Sequence, residues 1–111
     1  MPYDWDRVVA ERKYTKIDPK ELRFSADRKR AATFYVSHHR EDRYDDDTLY
    51  EIVVYDVAAE KEILVECRAY NVSHYTQSEQ GKPIDGVELS PDGKTLVIKF
   101  DDGTADSEPV P

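Results

Sequence analysis

The chain has 111 residues, a formal net charge of −8, 39% hydrophobic and 36% charged residues, and eight Tyr, three Phe and one Trp. That length supports one core without covalent staples, and the aromatic content sets the chain apart from a disordered one. The acidic field disfavours nucleic acid and anionic lipid despite the basic run Arg28-Lys29-Arg30; the lone Cys67 permits no intrachain disulfide, and no apolar run approaches the ~20 residues of a membrane span.

The opening "MPYDWDRVVAERK" carries charge where a signal peptide needs an apolar segment, so the expectation is a soluble cytoplasmic protein. Asp4 is placed to cap a helix, Asp6 suits its first turn, and Tyr3 can staple onto Val8. Trp5, Val8 and Val9 share one face, and Arg12 and Lys13 favour the C-terminal end. A short helix over residues 4–13 follows, with a stripe narrow enough to require packing on something larger. Asp18-Pro19-Lys20-Glu21 forms a capping-box pattern that continues for one turn at most, before a short strand at Leu22 to Phe24.

From Ala31 the period becomes two. Ala32, Phe34 and Val36 face one way and Thr33, Tyr35 and Ser37 the other. In "TLYEIVVYDV" both sets, Leu49, Val53, Tyr55 and Val57 against Tyr50, Ile52 and Val54, are largely apolar, which predicts a central strand covered on both sides. "KEILVECRA" returns as its hairpin partner, with Ile63, Val65 and Cys67 on one face. Residues 71–84 read as a polar loop with an extra strand at its start. In "VELSPDGKTLVIKF", Pro91 and Asp92 suit the centre of a type I turn and Gly93 the left-handed position of a bulged hairpin. Val87, Leu89, Leu96, Ile98 and Phe100 then face the core. Residues 101–111 are acidic with two prolines, and the expectation is a disordered tail after a single domain over residues 1–100.

"ELRFSADRKRAATFYV" followed by "LYEIVVYDVAAEKEIL" resembles a blade of the TolB-like or WD40-like β-propeller repeat, and "VELSPDGKTLVIKF" repeats its opening, with Phe24 aligned to Leu89, Asp27 to Asp92 and Lys29 to Lys94. The first copy has Ala26 for Pro and Arg28 for Gly, so its turn is open to a different construction. About one and a half units are present where a propeller has typically four or more blades. A fragment, an assembly of copies and a small sheet with blade-like hairpins are the alternatives, and the local turn chemistry favours the last. The resemblance implies a β platform and carries no activity with it.

"SHHREDRYDDD" is the conspicuous polar cluster. His38, His39, Asp42, Asp45, Asp46 and Asp47 are donors suited to a divalent cation, but their spacing matches no calcium loop, and adjacent histidines on a strand point apart. A solvated acidic hairpin loop is the simpler reading, with docking of a basic partner as its functional form. Asp101, Asp102 and Asp106 fall in the tail, Cys67 shares strand parity with core residues, and His74 has no partner at fixed spacing. A phosphate loop, a nucleophile elbow and a zinc Cys pair are all absent from the sequence. Tyr35, Tyr50, Tyr70 and Tyr75 are candidates either for an interface or for the sheet's second face.

These features predict a mainly β (α+β) fold, a twisted antiparallel sheet of about five or six strands with one short N-terminal helix. The functional expectation is a non-enzymatic, cofactor-free interaction or regulatory module binding a basic protein through Asp42, Asp45, Asp46, Asp47, Tyr35 and Tyr50. An acidic inhibitor or immunity-type protein filling a nucleic-acid-binding cleft is the alternative, and a divalent-cation domain a weaker one. Direct binding of nucleic acid or membrane is not expected, and a homo-oligomer stays open.

Overall fold

The computed structural model describes residues 22–40 and 45–111. The helix expected over residues 4–13, the capping box at residues 18–21 and Asp42 lie outside the described residues. Within them the chain is built of strands: β1 (Arg23–Phe24), β2 (Arg30–Arg40), β3 (Asp45–Asp56), β4 (Lys61–Ser73), β5 (Ser78–Gly81), β6 (Ile84–Leu89), β7 (Thr95–Phe100) and β8 (Ala105–Pro109). They form two antiparallel meanders, β1-β2-β3-β4-β5 and β6-β7-β8, in place of the single sheet expected. No helix among the described residues is long and apolar enough to cross a membrane.

The two sheets share one core. Ala32, Tyr50, Ile52 and Val54 from the larger sheet meet Ile84, Val87, Leu96, Ile98, Phe100 and Val110, with Phe34, Leu64 and Leu89 packed around them. The two-residue alternation puts these side chains on one face: Phe34 lies opposite Ile52, Val54 opposite Leu64, and Val87 opposite Ile98. The three-stranded sheet is polar on its outer face, where Lys99 donates to Glu88. As its apolar run suggests, β3 is buried on both sides, since Ile52, Val53 and Val54 are all inaccessible to solvent.

A bulge corrects the expected facing of β4. Tyr55 pairs with Glu62 but Val54 pairs with Leu64, so Ile63 is the extra residue. Ile63 still packs against the core, but beyond it the core face carries Leu64, Glu66, Arg68 and Tyr70. Val65 and Cys67 are thereby turned to the other side.

The two turns of the internal repeat are built alike, despite the different residues. Ser25 N donates to Arg30 O and Arg28 N to Ser25 O, both at 2.9 Å; Ser90 N donates to Thr95 O at 2.9 Å and Gly93 N to Ser90 O at 2.8 Å. In each, the Ser hydroxyl donates to the Asp two residues on, at 2.6 Å in the first and 2.7 Å in the second. That Asp then accepts the following Lys amide at 3.0 Å. These hydrogen bonds, from Ser25 and Lys29 and from Ser90 and Lys94, hold the Asp27 and Asp92 carboxyls below their ordinary range. The left-handed position falls on Arg28 at φ 59° and on Gly93 at φ 71°. Arg28 sits there with its guanidinium 4.6 Å from the Phe24 ring centroid. Arg30 joins the two turns, donating from Nη1 to Gly93 O at 3.1 Å.

The expected disordered tail is also corrected. Residues Ala105–Pro109 pair with β7, Val110 enters the core, and its amide donates to Lys94 O at 2.8 Å. The apolar signal was one valine between two prolines, too little to mark a strand locally.

Three substitutions test this packing. Gly93→Val combines left-handed strain of about 1–2 kcal/mol with a Cβ that would lie 3.0 Å from the Arg30 side chain, and it should lower the urea midpoint clearly. In Arg28→Gly, relief of similar strain is offset by the lost ring contact and by glycine's chain entropy, each about 0.5–1 kcal/mol, so stability should change by less than about 1 kcal/mol. Val110→Ala should cost about 1–2 kcal/mol in the same measurement, from two buried carbons, whereas a disordered tail would give no change.

Candidate functional site

β2, β3 and β4 have 11, 12 and 13 residues, against 6, 6 and 5 in the second sheet. The buried stretch of β3 begins at Leu49, so Asp45 to Thr48 run past the shared core as an arm. The acidic residues expected in a loop are therefore in a paired strand: Asp46 lies opposite Arg40 and Val72, and Asp47 opposite His39 and Asn71. Asn71 Nδ2 donates to Asp47 Oδ1. On the other face, His74 Nε2 is 3.8 Å from Asp46 Oδ2, and Thr48 Oγ1 is 3.3 Å from His38 Nδ1.

Strand alternation places Asp46 on the face opposite to Asp47, so the two carboxylates do not converge. Among the described residues, no three His, Cys, Asp or Glu side chains are placed to hold a metal ion together. The arrangement instead spreads negative charge along both faces of the arm.

The aromatic candidates separate. Tyr50 is buried in the core, its ring tilted at 55° to that of Phe34 with centroids 6.1 Å apart. It shares parity with Ile52 and Val54, so the role expected for it at an exposed surface is corrected to packing. Tyr35 is half-buried on the second face of the larger sheet, its hydroxyl 3.2 Å from that of Tyr55. Tyr70 packs against the core edge. Tyr75, in the β4–β5 turn, is 65% exposed and is the aromatic residue nearest in sequence to His74 at the arm.

At the base of the arm, where Ala69 lies opposite Leu49 and Gly81 opposite Tyr70, a cleft of about 230 Å³ is lined by Arg68, Ala69, Gly81, Lys82, Phe100 and Asp106. Gly81 permits its floor, because a Cβ there would lie 2.1 Å from Ala69 O. Arg68 Nη1 donates to Glu66 Oε2 and Nη2 to Glu108 Oε1, each at 3.0 Å. Burial works against this charge, but the two carboxylates outweigh it and hold the guanidinium above its ordinary value. Lys82 Nζ donates to Thr104 Oγ1 at 2.8 Å and lies 3.2 Å from Asp102 Oδ2, over the Phe100 ring. Hydrogen bonds from Thr104, with help from Lys82, pull the Asp102 carboxyl down to about 2. Both cations are thus matched by carboxylates of the chain itself, so the cleft is a clasp between sheets and not an anion site. Sequence reasoning missed it because the parity of Arg68 is set by the bulge and its partner Glu108 lies in the supposed tail.

Fold and site together define a small two-sheet antiparallel β protein with an acidic arm. No protein-family model, no curated protein and no solved structure matches this chain.

The clasp is testable by a double-mutant cycle of Arg68→Ala and Glu108→Ala. With the side chains 25% and 33% exposed, the expected coupling is about 0.5–1.5 kcal/mol, reduced in high salt. Zero coupling would show that Arg68 does not tie β4 to β8.

Proposed function

We propose that this protein is a non-enzymatic interaction module that receives a basic protein partner on the acidic arm of β2, β3 and β4. The observation that carries the reading is the continuation of β3 through Asp45, Asp46 and Asp47 past the last buried position, with Asp46, His74 and Tyr75 exposed beside it. A ladder that outlasts its core presents side chains at fixed positions without supporting the fold, which suits a docking surface. Carboxylates at such a site act at long range and speed encounter, and an exposed ring adds contact area once the partner is seated. The N-terminal helix over residues 4–13 belongs to the same proposal, supported by its capping pattern. So does the blade-like character of the two sheets, supported by the matched turns.

A partner isolated by affinity capture supplies the test, with binding kinetics measured on purified components. Changing Asp45, Asp46 and Asp47 together to Asn should lower the association rate at low salt severalfold and leave dissociation nearly unchanged, and the difference should fade as salt rises. Tyr75→Ala should act mainly on dissociation. If neither variant changes binding, the partner docks elsewhere.

A further inference from the structure

The two faces of the arm differ in chemistry. Side chains directly opposite each other in a ladder share a face, so Asp47, Asn71 and Gln80 lie on one, and Asp46, Val72 and Glu79 on the other. The first row is polar throughout, with Asp47 engaged by Asn71. The second sets an apolar side chain between two carboxylates, and the next row towards the core adds His38, Thr48 and Tyr70. This second face is the one that the smaller sheet covers further along, and the cover stops short of the arm. Phe34 packs against the core, whereas Val36, two residues on and on the same side, is 46% exposed, the most of any large aliphatic side chain among the described residues. The potential here is negative. Burial, Glu79 and Asp101 together push the Tyr70 hydroxyl above its ordinary value, while Arg68 and Lys82 at the base are matched by Glu66, Glu108 and Asp102.

Resting on the reading of the arm as a docking surface for a basic protein, we propose that the partner is seated on this face and not on its reverse. The partner presents two cationic side chains flanking an apolar one, the cations on Asp46 and Glu79 and the apolar group on Val72. Asp46 and Glu79 stand two strands apart, about 10 Å at the backbone, a span that two lysines or arginines of one short segment bridge with their long stems. An apolar contact between the charges excludes water from the centre of the interface, which lengthens the life of the complex, while the carboxylates on either side attract the partner and set its register. The reverse face offers no apolar group for such a centre, and Asp47 there already accepts a hydrogen bond. A second copy of the chain does not suit this face either, since each copy carries a net charge of −8 and would bring like charges together.

Two end-capped peptides, Lys-Gly-Leu-Gly-Lys and Lys-Gly-Gly-Gly-Lys, serve as probes, titrated into the full chain at low salt with backbone amide NMR shifts as the readout. The leucine peptide should bind severalfold more tightly, with the largest shifts at Thr48, Tyr70, Val72 and Glu79. Val72→Thr, which keeps a β-branched side chain in the strand, should remove most of that preference. Asp46→Asn with Glu79→Gln should weaken both peptides about tenfold, and Asp47→Asn by less than about twofold. Should a variant unfold, the shift map of the unsubstituted chain still decides. Equal binding of the two peptides, or shifts centred on Asp47, Asn71 and Gln80, would overturn the choice of face and chemistry while leaving the arm as the docking surface. Shifts confined to residues off the arm, or no binding of either peptide, would overturn both.

Discussion

The apolar layer between the two sheets is the constraint on which everything else rests. β6, β7 and β8 are short, and a three-stranded meander of this size is stable only when its apolar face is covered. Leu96, Ile98 and Phe100 supply that face, and Ile52 and Val54 of β3 are what it covers. Water is excluded along this layer, so the backbone groups of β3 are committed to pairing with β2 and β4 on both sides.

The polar contacts adjust a structure the core has already chosen. At one rim Arg30 reaches from the end of the first turn to the carbonyl of Gly93 in the second, tying the two turns together. At another, Arg68 joins Glu66 on its own strand to Glu108 on β8. Each lies where the apolar layer meets solvent, where a charge keeps part of its hydration and still fixes the position of one sheet against the other. The cleft beside Arg68 is a by-product of that closure.

The proposed docking falls to the parts the core does not use. The arm is held by ladder hydrogen bonds and by side-chain contacts such as Asn71 with Asp47, while its alternation keeps neighbouring carboxylates on opposite faces. That geometry relieves repulsion within the chain and presents charge to two sides at once. A cation site would need the opposite arrangement, with donors converging on one point.

Much of the sheet was legible in the sequence, because alternation and turn chemistry are local. Ala32 and Phe34 against Thr33 and Tyr35, the two-sided β3, and Val87, Leu89, Leu96, Ile98 and Phe100 facing inward all follow from a period of two. The Ser90-Pro91-Asp92-Gly93 turn follows from the φ each residue prefers. Tertiary structure decided the remainder, where a residue's environment depends on a distant partner. Arg28 takes the left-handed position because the hydrogen bonds of Ser25 and Asp27 impose it. The bulge at Ile63 reversed the facing of Val65 and Cys67, since one inserted residue flips every side chain beyond it. Val110 and Glu108 became a core residue and a clasp only because β7 offered an edge, which no pattern within residues 101–111 could reveal. Tyr50 and Tyr35, one position type apart by parity, were equivalent as aromatics in the sequence; the second sheet, by covering one face, placed Tyr50 in the core.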